Sequence, residues 1–231
     1  MVRLSLVLIA AFAAAPCHAG PWGQADGDLY TRVAVSLGEV EGLASSRVDA
    51  YAEYGLSGTW TSTLKYERVI FDGYPEFAAD GWRATLRRPF RVGKTYQASI
   101  EFGLLEGAAI GGAAGCESLG IEARTGLGRS YKEDAEQDLD GFWFADIAYR
   151  AHEDGCERYR LEAAWGREIY PGIWTITQAW LDDGSTNAGS QKYQFEYLWR
   201  LSAADVSIGL LQELGGEFEE SAAFVSVAKT F

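Results

Sequence analysis

From Ser221 to Phe231 the chain contains no turn-forming residue, and its side chains alternate. Ala223, Val225, Val227, Lys229 and Phe231 fall on one face, and Phe224, Ser226, Ala228 and Thr230 on the other. A period of two marks a strand rather than a helix. The same alternation recurs along most of the sequence. Outside the first twenty residues no apolar run approaches the roughly 20 residues that a helix needs to cross a bilayer. If this chain spans a membrane, it does so with strands closed on themselves, because hydrocarbon leaves no partner for an open sheet edge.

The amino-terminal stretch has a different character. Arg3 precedes an apolar run from Leu4 to Ala15, and Cys17-His18-Ala19 places small residues where a signal peptidase reads. Residues 1–19 are therefore expected to be a secretory signal peptide cleaved after about Ala19. Pro16 before Cys17 argues against a lipidation site. The formal net charge of −13 excludes nucleic acid and anionic lipid as main partners, since both need a basic face. A composition of 27 Gly, 12 Tyr, 11 Phe and 8 Trp with only 5 Pro suits strands joined by turns.

Residues 20–231 read as one domain of about twelve strands. Gly20 to Gln24 is a short lead-in. The first strand puts Leu29, Val33, Val35 and Leu37 opposite Tyr30, Arg32, Ala34 and Ser36, and the second puts Val48, Ala50, Ala52 and Tyr54 opposite Arg47, Asp49, Tyr51 and Glu53. Loops are expected at 38–46, 71–80, 107–115 and 182–190, a turn at 89–94, and an acidic connector at 132–140. The strand from Ile173 to Leu181 has two faces that periodicity cannot rank, because Trp174, Ile176 and Trp180 compete with Ile173, Ala179 and Leu181. A miscount around 132–140 would give ten or fourteen strands. Trp60, Trp82, Tyr96, Trp143, Trp165 and Trp199 fall near strand ends, where a membrane barrel carries its aromatic girdles.

A last strand ending on Phe231 resembles the bacterial outer-membrane β-barrels. Tyr51-Ala-Glu-Tyr-Gly-Leu-Ser-Gly-Thr-Trp60 is similar to a strand–turn–strand phrase of the transporter-like members. The resemblance implies an all-β, up-and-down antiparallel barrel in the outer membrane of a Gram-negative bacterium. It also implies contact with outer-membrane lipid and Phe231 as the signal read by the barrel-assembly machinery. Lys229 departs from the pattern, which favours an apolar residue two places before the final Phe.

With the polar face taken as the lumen, its cations are Arg32, Arg47, Lys65, Arg83, Arg87, Arg124, Arg150, Arg158, Arg160 and Arg200. Its anions are Asp49, Glu53, Glu67, Glu101, Glu122, Asp146, Glu162, Glu196 and Asp205. Such opposed ladders fit a narrow passive channel for a small polar solute. They equally fit an ion-paired plug in a closed barrel with a structural or surface-interaction role. Surplus acids, including Glu39, Glu41, Glu106, Glu117, Glu153, Asp154, Asp182, Asp183 and Glu217, are expected in outer loops. Cys116 and Cys156 end neighbouring loops, and export predicts a disulfide between them. No cofactor or metal is implied: His152 is the one histidine left after residue 19, and Asp138-Leu-Asp-Gly141 lacks the later ligands of a calcium loop. A hydrolase using His152 with Asp154 is the third reading, since a base needs an orienting acid.

Overall fold

Why the polar rows of these strands face inward is seen in the computed structural model, which describes residues 20–57, 59–107, 116–134, 139–185, 189–215 and 219–231. The strands are β1 (Leu29–Val40), β2 (Leu43–Leu56), β3 (Trp60–Phe71), β4 (Ala79–Val92), β5 (Tyr96–Gly107), β6 (Gly120–Asp134), β7 (Leu139–His152), β8 (Glu157–Tyr170), β9 (Ile173–Gly184), β10 (Ser190–Arg200), β11 (Asp205–Leu214) and β12 (Glu220–Thr230). Each pairs antiparallel with the next, and β12 pairs with β1 to close the barrel. The closure runs from Tyr30 opposite Thr230 to Val40 opposite Glu220, and Leu29 and Phe231 exchange both backbone hydrogen bonds. The fold is the expected up-and-down barrel of twelve strands. Closure leaves no unpaired sheet edge.

The barrel is inside out relative to a water-soluble protein. Leu37 on β1 is 67% exposed, whereas Glu101 on β5 is 1% exposed. Val33, Val35, Leu64, Phe102, Ile121, Leu210, Val225 and Val227 add to an apolar outer band. That surface is stable only against hydrocarbon, because exposing it to water would cost about 25 cal/mol per Å². Strands of 10 to 15 residues meet or exceed the 9–11 that a tilted strand needs to cross, so the ends of the longer ones stand clear of the apolar band.

Several boundaries differ from the expectation. No loop occupies 38–46: β1 and β2 continue to a two-residue turn at Glu41 and Gly42, both with positive φ (50° and 75°), as a primed hairpin turn requires. Gly38, Glu39, Ser45 and Ser46 look loop-like by composition, but ladder pairing holds them extended. Likewise Pro89 lies inside β4. The last β3–β4 pair is Thr61 with Arg87, so a residue without an N–H breaks no bond on that side. β9 continues to Gly184 and β10 begins at Ser190, so residues 182–184 and 190 of the expected 182–190 loop are strand. β6 continues to Asp134 and β7 begins at Leu139, which keeps the count at twelve strands.

Glu39, Glu106, Asp182 and Asp183 are thus strand residues and not loop acids. The expected signal peptide, Glu217, most of the 107–115 loop and residues 135–138 lie outside the described residues.

Candidate functional site: the lumen

Inward parity on successive strands brings the predicted charges together. All thirteen residues singled out for the lumen (Arg32, Arg83, Arg87, Glu101, Glu122, Arg124, Asp146, Arg150, Arg158, Arg160, Glu162, Glu196 and Arg200) occupy the inward face. Ten of them, all but Glu122, Arg158 and Arg200, line a cavity of about 230 Å³ that nine cationic and nine anionic side chains surround.

Three networks hold these charges. In the first, Arg87 places Nη1 2.8 Å from Glu53 and Nε 2.8 Å from Glu101, and it also donates to the Trp22 carbonyl at 3.1 Å. Tyr51 donates to Glu53, and Thr85 donates to Glu101 at 2.6 Å. In the second, Glu122 accepts from Arg83 (3.0 Å), Arg124 (3.2 Å) and Arg150 (2.6 Å). Arg124 bridges onward to Asp146 (2.7 Å) and Glu162 (3.0 Å). In the third, Arg47 joins Glu67 (2.5 Å) to Glu220 (2.6 Å), Lys65 lies between Asp49 and Glu67, and Lys192 pairs with Glu213 at 3.0 Å.

Elsewhere Arg32 meets Glu196 at 3.2 Å, and Arg158 and Arg160 share Asp182 at 3.2 and 3.7 Å. Arg200 lies 3.8 Å from Asp205. An unpaired buried charge costs several kcal/mol, whereas a well-paired one roughly breaks even. The ladders are therefore self-consistent.

Asp182, expected in an outer loop, faces inward on β9, and Lys192, Glu213 and Glu220, which are not among the expected lumen charges, also reach the lumen. β9 runs on through Asp182-Asp183-Gly184, a sequence that reads as a turn, and the other three lie near the ends of β10, β11 and β12. Also unforeseen is the role of the lead-in. Residues 20–26 fold back across the mouth at the end where β1 begins and β12 finishes. Ala25 crosses Gly55, where any Cβ would meet its carbonyl oxygen at 1.8 Å. The Gln24 N–H donates to Thr61 Oγ1, and its side chain donates to Glu53 at 2.6 Å.

Trp22 lies edge-on to Phe142 and Phe144, with both centroids at 6.0 Å. These rings join Ala164, Trp174, Ile176 and Leu198 in an apolar cluster inside the lumen. Trp174 and Ile176 therefore face inward on β9, which resolves the face that periodicity left unranked. Gly166 leaves space for the Phe142 ring, which would lie 2.1 Å from a Cβ there.

At the opposite end Cys116 and Cys156 form the predicted disulfide, with Cα atoms 5.4 Å apart. Nearby, the Cys156 N–H donates to Asp154 at 2.9 Å and holds that loop carboxylate below its usual range. His152 is buried, and its Nδ1 lies 2.8 Å from the Ser118 carbonyl. His152 and Asp154 thus each have another partner and are not arranged as base and orienting acid. No group of three or more residues suited to holding a metal occurs among the described residues.

No protein-family model and no curated protein matches this sequence. Solved structures do. The NanC porin aligns with a TM-score of 0.59 at 10% identity, covering 84% of this chain and 98% of that one. The KdgM porin in complex with disordered oligogalacturonate aligns at 0.54 and 8%, covering 87% and 99%. An outer membrane channel from Pseudomonas putida F1 aligns at 0.54 and 10%, covering 90% and 97%. At these identities the likeness is one of architecture: this chain has the fold of bacterial outer-membrane porins.

Proposed function

We propose that the protein is a narrow passive channel for small polar solutes in a bacterial outer membrane. It is exported by a signal peptide at residues 1–19 and recognised by the assembly machinery through the strand ending at Phe231. The observation that carries this reading is the cavity lined equally by cations and anions inside a barrel whose outer wall is apolar. The charge balance also bears on the solute. KdgM was solved with oligogalacturonate, a polyanion. Here each wall of cations already has carboxylates of its own, and a polyanion would have to displace them pair by pair. A neutral or zwitterionic solute, or one with a single charge, needs no such displacement.

A second reading, a closed barrel with a structural or surface role, is favoured by the strap at residues 20–26 and the apolar cluster beneath it. Single-channel recording in a planar bilayer separates the two, with and without reductant. Discrete openings whose ion selectivity changes on Arg124→Gln support the channel. Silence from a folded, heat-modifiable barrel, persisting after Trp22→Ala, overturns it in favour of the plug.

A further inference from the structure

We propose that Arg150 and Arg160, backed by Trp180 and Asp182, form a binding site for a small anionic group, a carboxylate or phosphate, carried by a solute in the lumen. The site lies within the proposed channel and presumes that a solute can enter it.

The strand register creates the site. Arg150 on β7 lies directly opposite Arg158 on β8, and the positive charge of Arg160 acts on both. Arg160, two residues on, lies opposite Asp182 on β9 and stacks over the Trp180 ring at 5.9 Å. Arg150 and Arg158 are each only 1% exposed, so water relieves little of this repulsion.

The carboxylates at hand are shared thinly. Asp182 serves both Arg158 and Arg160. Glu122 serves Arg150 together with Arg83 and Arg124. Arg83 and Lys65 add further positive charge, acting on Arg150 and Arg160 respectively. Two donors are consequently left over: Arg150 Nη1 and Arg160 Nε are buried without a hydrogen-bond partner, and both residues line the cavity.

A buried donor left unsatisfied is destabilising. A planar carboxylate or a phosphate face supplies the missing acceptors with the geometry that guanidinium groups match. An anion here also separates two like charges that folding forces together.

The test is anion-dependent thermal unfolding of the folded barrel in detergent micelles. Sodium phosphate and sodium acetate are titrated against sodium chloride at constant ionic strength, for wild type, Arg150→Gln and Arg160→Gln. The expected result is a saturable rise in the wild-type midpoint with phosphate or acetate over chloride. Half-saturation should weaken by about tenfold or more in either variant, since one charge-assisted bond is worth that much.

Equal midpoints in all three salts overturn the proposal, as does an undiminished response in Arg160→Gln. Arg160 has one modest pair, so that variant should fold even if Arg150→Gln does not. Binding is read without a membrane. A silent bilayer therefore leaves this site standing, and an absent anion response leaves conductance standing.

Discussion

Arg87 shows how much of this barrel rests on single lumen side chains. It is 4% exposed and holds Glu53 and Glu101 at once. Arg87→Ala strands two buried carboxylates, and breaking a buried pair from one side costs about 3–5 kcal/mol. The midpoint of urea unfolding should fall accordingly, and adding Glu101→Gln should recover part of the loss. Residues like this one were legible from parity alone, because a strand fixes which way every second side chain points. Lys192, Glu213 and Glu220 were not, because the strand ends that carry them are held by neighbouring strands and not by local preference. Tyr51 was placed correctly on the inner face, yet its bond to Glu53 depends on a strand spacing that no alternation reveals.

At the level of elements, the lead-in and β9 mark where sequence reasoning stopped. Trp22 lies only a few residues after the expected cleavage site, and nothing local says that it turns back into the barrel. Its partners Phe142 and Phe144 lie about 120 residues away in sequence. The two faces of β9 were ambiguous for the same reason: its inward row is apolar only because it meets that distant cluster. Trp22→Ala should therefore raise or initiate conductance while far-UV circular dichroism stays that of a barrel. Unchanged silence would mean that the strap is not the obstruction.

The disulfide is a second element-level device, and the pairing of its two cysteines was legible from their places in neighbouring loops. It closes a loop with a sequence separation of 40, worth roughly 4 kcal/mol in the chain-entropy model. The segments that it joins are already tied by the backbone bond from the Glu153 N–H to the Leu119 carbonyl and by the Asp154 N–H donating to Ser118 Oγ. Cys156→Ser should therefore lower heat stability by no more than about 4 kcal/mol, and reductant should do the same to wild type without further effect on the variant.

Across the whole molecule the two ends differ in charge, and this difference bears on how the barrel sits in a membrane. At the end bearing the strap, cations on the outer wall lie over aromatic rings: Arg88 over Trp60 at 5.7 Å, Arg129 over Tyr96 at 6.0 Å, Arg167 over Trp165 at 5.4 Å and Lys229 over Phe231 at 4.9 Å. Lys229, the departure from the usual terminal pattern, belongs to this belt. At the far end the outward polar groups near the rim are largely acidic. Tyr66 donates to Asp80 and Trp82 to Glu106, while Glu41, Asp72, Glu76, Glu117, Glu153 and Asp183 are exposed.

Connections at the cationic end are all short, as at the periplasmic face of outer-membrane barrels, whereas 72–78 and 108–119 at the other end are longer. Cations among rings at headgroup level also suit phospholipid phosphates. The strap, β12 and the cationic belt should therefore face the periplasm. A Glu76→Cys variant should react with a membrane-impermeant maleimide on intact cells, whereas Lys94→Cys should react only after the outer membrane is permeabilised. The reverse pattern would invert the barrel and place the proposed anion site toward the cell interior.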